Sequence, residues 1–196
     1  MLFRSGRALN KYVQERTTHI MTRPYGIEGV CLRLFNVYGS GQALSNPYTG
    51  VLAIFASRLL NEQPPVIFED GAQRRDFVHV RDVSRAFADA LVLPDAAGGT
   101  FNVGSGQDRS VREVAAALAA AMGRPQIAPE VLHKARTGDI RHCFCDTTLS
   151  HEVLGFSARE DFSEGLAELA EWVAGETADD RVAEARRELE ARGLVA

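Results

Sequence analysis

Between Val30 and Gly39 the chain reads Val30-Cys31-Leu32-Arg33-Leu34-Phe35-Asn36-Val37-Tyr38-Gly39. Val30 to Val37 is rich in β-branched and apolar residues, as a strand buried on both faces must be. A Gly/Ser/Asn/Pro-rich loop follows, from Gly39 to Gly50. Asn36 thus stands at the end of a buried strand, where it enters a long loop. In open α/β sheets, ligands bind beyond such strand ends. The bland alternative is an Asn that caps a turn.

Helical and extended patterns alternate outward from this strand. Ala8 to about Thr22 reads as a helix with Leu9, Tyr12, Val13, Thr17 and Ile20 on one side, stopped by Pro24 and Gly26. Val51 to Leu60 is an amphipathic helix with Ile54, Phe55 and Leu59 inward, ended by Pro64 and Pro65. Val66 to Phe68, Asp76 to His79, Thr100 to Val103 and Ile127 to Leu132 read as short strands. Helices are expected at Asp82 to Leu93, at Ser110 to Met122 and at Phe162 to Ala174, the last with Ser163 as N-cap. A final helix is expected from Asp179 to Arg192, with acid in its first turn and Gly193 as its stop. The fold class is therefore α/β or α+β.

Composition narrows the function classes. The chain has 196 residues, 22 Lys plus Arg against 26 Asp plus Glu, and a net charge of -4. That is an ordinary globular composition, and its mild acidity argues against a nucleic-acid partner. The longest apolar run, Val114 to Met122, is too short to span a membrane. Cys31, Cys143 and Cys145 make no disulfide framework, which points to a reducing cytoplasm.

Several stretches carry chemistry. In Arg74-Arg75-Asp76-Phe77-Val78-His79-Val80-Arg81-Asp82-Val83, adjacent arginines beside a strand suit bidentate capture of phosphate oxygens; the alternative is a solvated charge cluster. Phe101 to Arg109 mimics a G-x-G-x-x-G fingerprint, but Arg109 occupies the third glycine's place, so a tight strand-to-helix turn is expected. Arg136-Thr137-Gly138-Asp139-Ile140-Arg141 is a second charged loop. His142-Cys143-Phe144-Cys145 has no second ligand pair at a spacing that zinc needs, and its alternation suggests a short strand with one Cys inward.

Lys11-Tyr12-Val13-Gln14-Glu15, RLFNVYG, NPYTG, IFEDG, RRDFVHVRDV, FNVGSG and RTGDIRH occur in this order. Together they resemble the extended short-chain dehydrogenases, specifically the NAD-dependent nucleotide-sugar epimerases and dehydratases. The likeness runs from Ala8 to Gly193; NPYTGVLAIF and GDIRHC are nearer the dTDP-L-rhamnose 4-epimerase branch than the UDP-glucose 4-epimerase branch.

The resemblance implies a role for each matching position. Asn36 would bond the diphosphate region of a UDP- or dTDP-sugar, and the backbone around Val51 and Leu52 would face the nucleotide. Phe68 would pack near the pyrimidine, Arg75 and Arg136 would grip the diphosphate, and Asp139 would meet the ribose. Lys11 matches the lysine of the family's Tyr-x-x-x-Lys motif, which holds the nicotinamide ribose of NAD. Counting back four residues reaches Arg7, where the family has its catalytic tyrosine. A guanidinium stays charged and cannot accept that proton.

The family's Gly-rich NAD loop is not found either. The resemblance therefore implies an N-terminally truncated record: a Rossmann remnant over 1–39, a nucleotide-sugar-binding domain over 40–178 and a C-terminal helix over 179–196. Met1 to Ser5 match nothing in the family and fit one frame of a sequencing adapter, which resequencing the locus tests. The implied activity is 4-epimerisation by transient oxidation of the sugar, with homodimers in the full-length relatives. A 4,6-dehydratase or a non-catalytic nucleotide-sugar-binding module is the alternative.

Overall fold

The computed structural model describes residues 6–44, 50–135 and 139–176, together with Arg187 and Ala191. Helix α1 (Gly6–Thr22) and a 3-10 turn at Arg23–Tyr25 lead into strand β1 (Cys31–Leu34). β1 pairs in parallel with β5 (Thr100–Val103), Cys31 opposite Thr100. The Phe35 amide still donates to the Val103 carbonyl at 3.1 Å. One residue later the chain leaves β5, and β2 (Asn36–Tyr38) pairs in parallel with β4 (Arg74–His79), Asn36 opposite Phe77. The apolar run that reads as one strand is thus two, with a change of partner at Phe35. Periodicity cannot reveal this, because both halves are equally apolar.

β4 is the hub. Its first half also pairs with β6 (Asp108–Ser110), antiparallel, and with β8 (His142–Cys143), parallel. A small separate ladder joins β3 (Val66–Ile67) to β7 (Glu130–Val131). The larger core lies among α2 (Val51–Leu60), α4 (Val111–Ala121) and α6 (Phe162–Ala174), which bury Phe55, Leu59, Leu118, Leu166 and Leu169 against Tyr38 and Phe77. A smaller core gathers Val83 and Ala86 of α3 (Val80–Val92) with Val78, Phe101 and Val103, and with Leu154 of α5 (Thr148–Leu154).

Local chemistry fixes the helix starts. Ser110 and Glu113 form a reciprocal capping box at α4. At α6 the cap is Asp161 rather than Ser163: its Oδ1 accepts from the amides of Ser163 and Glu164 at 2.8 and 3.1 Å. Helix α5 was not expected from the sequence. It is short and polar, and it is started by Asp146, whose carboxylate accepts from the Thr148 amide.

Helix α1 departs most from expectation. Leu9, Val13 and Ile20, read as its inward side, are 45%, 51% and 62% exposed. Its polar side makes the contacts instead. Glu15 takes the Arg33 fork, and His19 Nε2 lies 2.8 Å from Thr100 Oγ1. The expected helix over 179–192 falls outside the described residues, apart from Arg187 and Ala191, which are helical.

Candidate functional site

Asp76, in the middle of β4, is fully buried. A lone buried carboxylate costs too much to persist, so it must be answered by donors. Its Oδ1 accepts from the amide and hydroxyl of Ser105 at 2.7 and 2.9 Å, and its Oδ2 accepts from the Gly106 amide at 2.9 Å. The Cys145 thiol donates to Oδ2 at 3.1 Å. Burial first, and then the Asp76 carboxylate, push this thiol up to about 12, so it stays protonated. Gly104 must lack a side chain: a Cβ there would sit 2.3 Å from Cys145 Sγ and 2.8 Å from Asp76 Oδ2. The Gly104-Ser105-Gly106 turn therefore cradles a carboxylate of its own chain. Its donors are not available to a dinucleotide. Cys145 is a hydrogen-bond donor in this lock, and among the described residues no group of His, Cys, Asp and Glu is placed to hold a metal.

With Asp76 pinned, its neighbour Arg75 is set in one pose. Arg75 Nη1 donates to the carbonyls of Arg74 and Arg141 at 2.9 and 2.7 Å, and Nη2 donates to that of Ile140 at 2.7 Å. A guanidinium has five N–H donors. Three are used here; the Nε proton and one Nη2 proton have no acceptor among the described residues. The Nε and Nη2 edge of a guanidinium is one of those that offer two parallel donors, the arrangement that grips a phosphate.

The loop that holds Arg75 is itself tied down. Arg141 bonds Glu69 Oε2 and Asp70 Oδ2, each at 2.8 Å. The Arg141 bond, helped by the Ala72 amide, holds the Asp70 carboxyl at about 2 against its ordinary 3.8. Gln73 Nε2 donates to the Phe68 carbonyl at 2.6 Å. Phe68, Arg75 and the exposed Asp139, next to the gripped Ile140, thus belong to one cluster. Arg136 lies outside the described residues.

The remaining candidates flank β1 and β2. Asn36 opens β2 and is half-buried. Gly50, the N-cap of α2, lies against β2: a Cβ on it would be 3.9 Å from the Val37 carbonyl. The start of α2, at Val51 and Leu52, therefore sits at the carboxyl end of β2. The Leu52 side chain is buried in the core, so only its backbone is presented. The first amides of an α-helix have no acceptor within it and attract anions.

Lys11 is exposed, one helical turn before Glu15. Glu15 grips Arg33, His19 meets Thr100, and Thr22 packs on Gly29, so α1 runs antiparallel to β1. Lys11 consequently projects past the carboxyl end of β1, the end at which Asn36 lies.

Sequence reasoning missed the supports: Arg141, Gln73 and the Asp76 lock. It also missed Asp82, buried at the start of α3, which accepts from the amides of Arg159 and Glu160 at 3.0 and 3.2 Å and pairs with Arg85. The i,i+3 spacing of Asp82 and Arg85 was the available signal for that last pair.

Residues 4–104 match the model of a family described as the NAD dependent epimerase/dehydratase family. The chain belongs to that family. It is 42% identical over 146 residues to a dTDP-L-rhamnose 4-epimerase from Burkholderia thailandensis, covering 74% of this chain and 39% of that protein. It is also 42% identical over 139 residues to a UDP-glucose 4-epimerase from Mycolicibacterium smegmatis, covering 70% of this chain and 42% of the relative. Among solved structures it resembles the Thermus thermophilus UDP-glucose 4-epimerase complex with NAD, with a TM-score of 0.76 and 33% identity over 89% of this chain and 55% of that one. The chain thus spans between 39% and 55% of the length of these family members.

Proposed function

We propose that this chain supplies the nucleotide-sugar clamp of an NAD-dependent nucleotide-sugar 4-epimerase. The observation that carries this reading is the Arg75 fork: anchored by three carbonyls, with two parallel donors left over. Both named relatives at 42% identity are 4-epimerases, which favours epimerisation over dehydration.

In this reading the two free donors of Arg75 take oxygens of the diphosphate, and the start of α2 at Val51 and Leu52 adds amides and a favourable helix dipole. Phe68 stacks beside a pyrimidine, and Asp139 accepts from a ribose hydroxyl. Asn36 orients the sugar end, and Arg136 adds a second charge to the diphosphate. The ligand is a UDP- or dTDP-sugar.

Lys11 fits the nicotinamide ribose: it is exposed and stands past the carboxyl end of a parallel strand, where cofactors bind in such sheets. The Gly104-Ser105-Gly106 turn does not fit a cofactor phosphate, since Asp76 fills it. NAD, when bound, supplies the hydride acceptor and donor. The chain's own residues bind the diphosphate, orient the sugar and place an ammonium beside the cofactor.

No helix among the described residues is long and apolar enough to cross a membrane. A reducing cytoplasm suits the unpaired Cys31, Cys143 and Cys145. The exposed apolar side of α1 suits a homodimer.

Calorimetric titration with dTDP, UDP and ADP tests the reading. The expected result is saturable 1:1 binding of dTDP and UDP, with ADP weaker by about tenfold or more. ADP binding as tightly as UDP, or no nucleotide binding, overturns it.

A further inference from the structure

The charges on β4 and β6 face each other in like pairs. Antiparallel register sets Arg75 opposite Arg109 and Asp76 opposite Asp108. Like charges directly across a ladder repel, so each needs an answer nearby. Asp108 receives the Arg74 guanidinium on the diagonal. Asp76 has the Ser105-Gly106 turn and the Cys145 thiol, and Arg75 has its three carbonyls.

Arg109 is the exception. Its Nη2 donates only to Gln107 Oε1, at 3.2 Å, while its guanidinium lies 4.2 Å over the Phe162 ring. Among the described residues no carboxylate accepts from it. Glu113 feels its charge but is committed to the Ser110 amide.

Arg109 borders a cleft of about 260 Å³, also lined by Tyr38, Phe77, Ser105, Gln107 and Phe162. Tyr38 is 2% exposed, and its hydroxyl has no hydrogen-bond partner among the described residues. The hydroxyl is not among the sealed polar atoms that lack a partner, so it opens to the cleft and is available to what enters it. Burial pushes this phenol well above its ordinary range, so it remains a donor. The carboxylates on the rim are already matched: Glu160 by Arg81 and Arg85, Asp161 by the first amides of α6. The Arg159 side chain, also on the rim, has no ion pair among the described residues.

We propose that this cleft is an oxyanion site, in which the Arg109 guanidinium and the Tyr38 hydroxyl take the oxygens of a phosphate or carboxylate group on a small molecule. Arg75 does not line this cleft, so the site is distinct from the clamp. Phe162 stacks on the guanidinium and leaves the in-plane N–H donors for the anion, as a planar fork requires.

The test is titration of the chain with inorganic phosphate and, in parallel, with acetate, at constant ionic strength, followed by ³¹P line broadening and calorimetry. Saturable uptake of either ion by the Arg75→Gln chain, which lacks the clamp, supports the site and identifies the group it takes. With the clamp silenced by Arg75→Gln in every chain compared, Arg109→Gln should weaken uptake by about tenfold and Tyr38→Phe by a few-fold. Far-UV circular dichroism checks folding; if Arg109→Gln does not fold, Tyr38→Phe decides. The proposal is overturned if neither ion saturates by about 10 mM. It is likewise overturned if adding Tyr38→Phe to Arg75→Gln changes nothing, or if Arg75→Gln alone abolishes uptake.

Discussion

Helices α6 and α1 carry the same kind of message in sequence, an apolar stripe at helical spacing, and meet opposite fates. In α6, Leu166, Leu169 and Val173 are all buried against α2 and α4. In α1, Leu9, Val13 and Ile20 remain open, and the helix is held by its polar side through Glu15–Arg33 and His19–Thr100. The difference teaches that an amphipathic pattern fixes which side wants cover, and that the partner comes from the rest of the fold. The region around β4 is closed by its own residues. The region around α1 leaves apolar side chains exposed.

This contrast can be broken at graded cost. The largest effect belongs to the lock under the closed region. Asp76→Ala orphans four donors and should cost about 3–5 kcal/mol, read from the urea midpoint. Leu169→Ala, which leaves a cavity in the α6 layer, should cost about 2–4 kcal/mol in the same assay. Gly104→Ala forces a Cβ against Cys145 and Asp76 and should cost about 1–3 kcal/mol. Val13→Ala on α1 should move the midpoint by less than about 0.5 kcal/mol, because its side chain is half open. A cost for Val13→Ala equal to that for Leu169→Ala would erase the distinction.

The smallest effect is electrostatic. The Asp70 pKa is depressed, so what its ionised form contributes is present above pH 3.8 and is lost as pH falls through about 2. A ¹³C-carboxyl titration should place its midpoint near 2, and Arg141→Ala should return it towards 3.8.

The parts of the fold readable in advance were those in which one residue type settles a local question. Val51–Leu60, Thr100–Val103 and Phe162–Ala174 have the bounds read for them from apolar spacing and punctuation. What escaped was set by distant partners. The break at Phe35 depends on β4 coming alongside β2, and α1's orientation depends on Arg33 and Thr100. The Asp161 cap was missed because Ser163 looked as good locally; only the carboxylate's position shows which of the two reaches the free amides. Of the candidate site residues, Arg75 was singled out by its motif and Phe68 by the family resemblance. Their supports, Arg141 and Gln73, act through backbone carbonyls and a turn that no spacing encodes.

Whether the Arg75 fork receives the diphosphate is measured directly by a UDP titration of the parent chain beside Arg75→Ala and Arg75→Lys. Alanine should weaken UDP binding by at least about tenfold, and lysine should restore only part of the loss, since an ammonium cannot offer two parallel donors. Unchanged UDP affinity in Arg75→Ala, with its fold intact, would contradict that role.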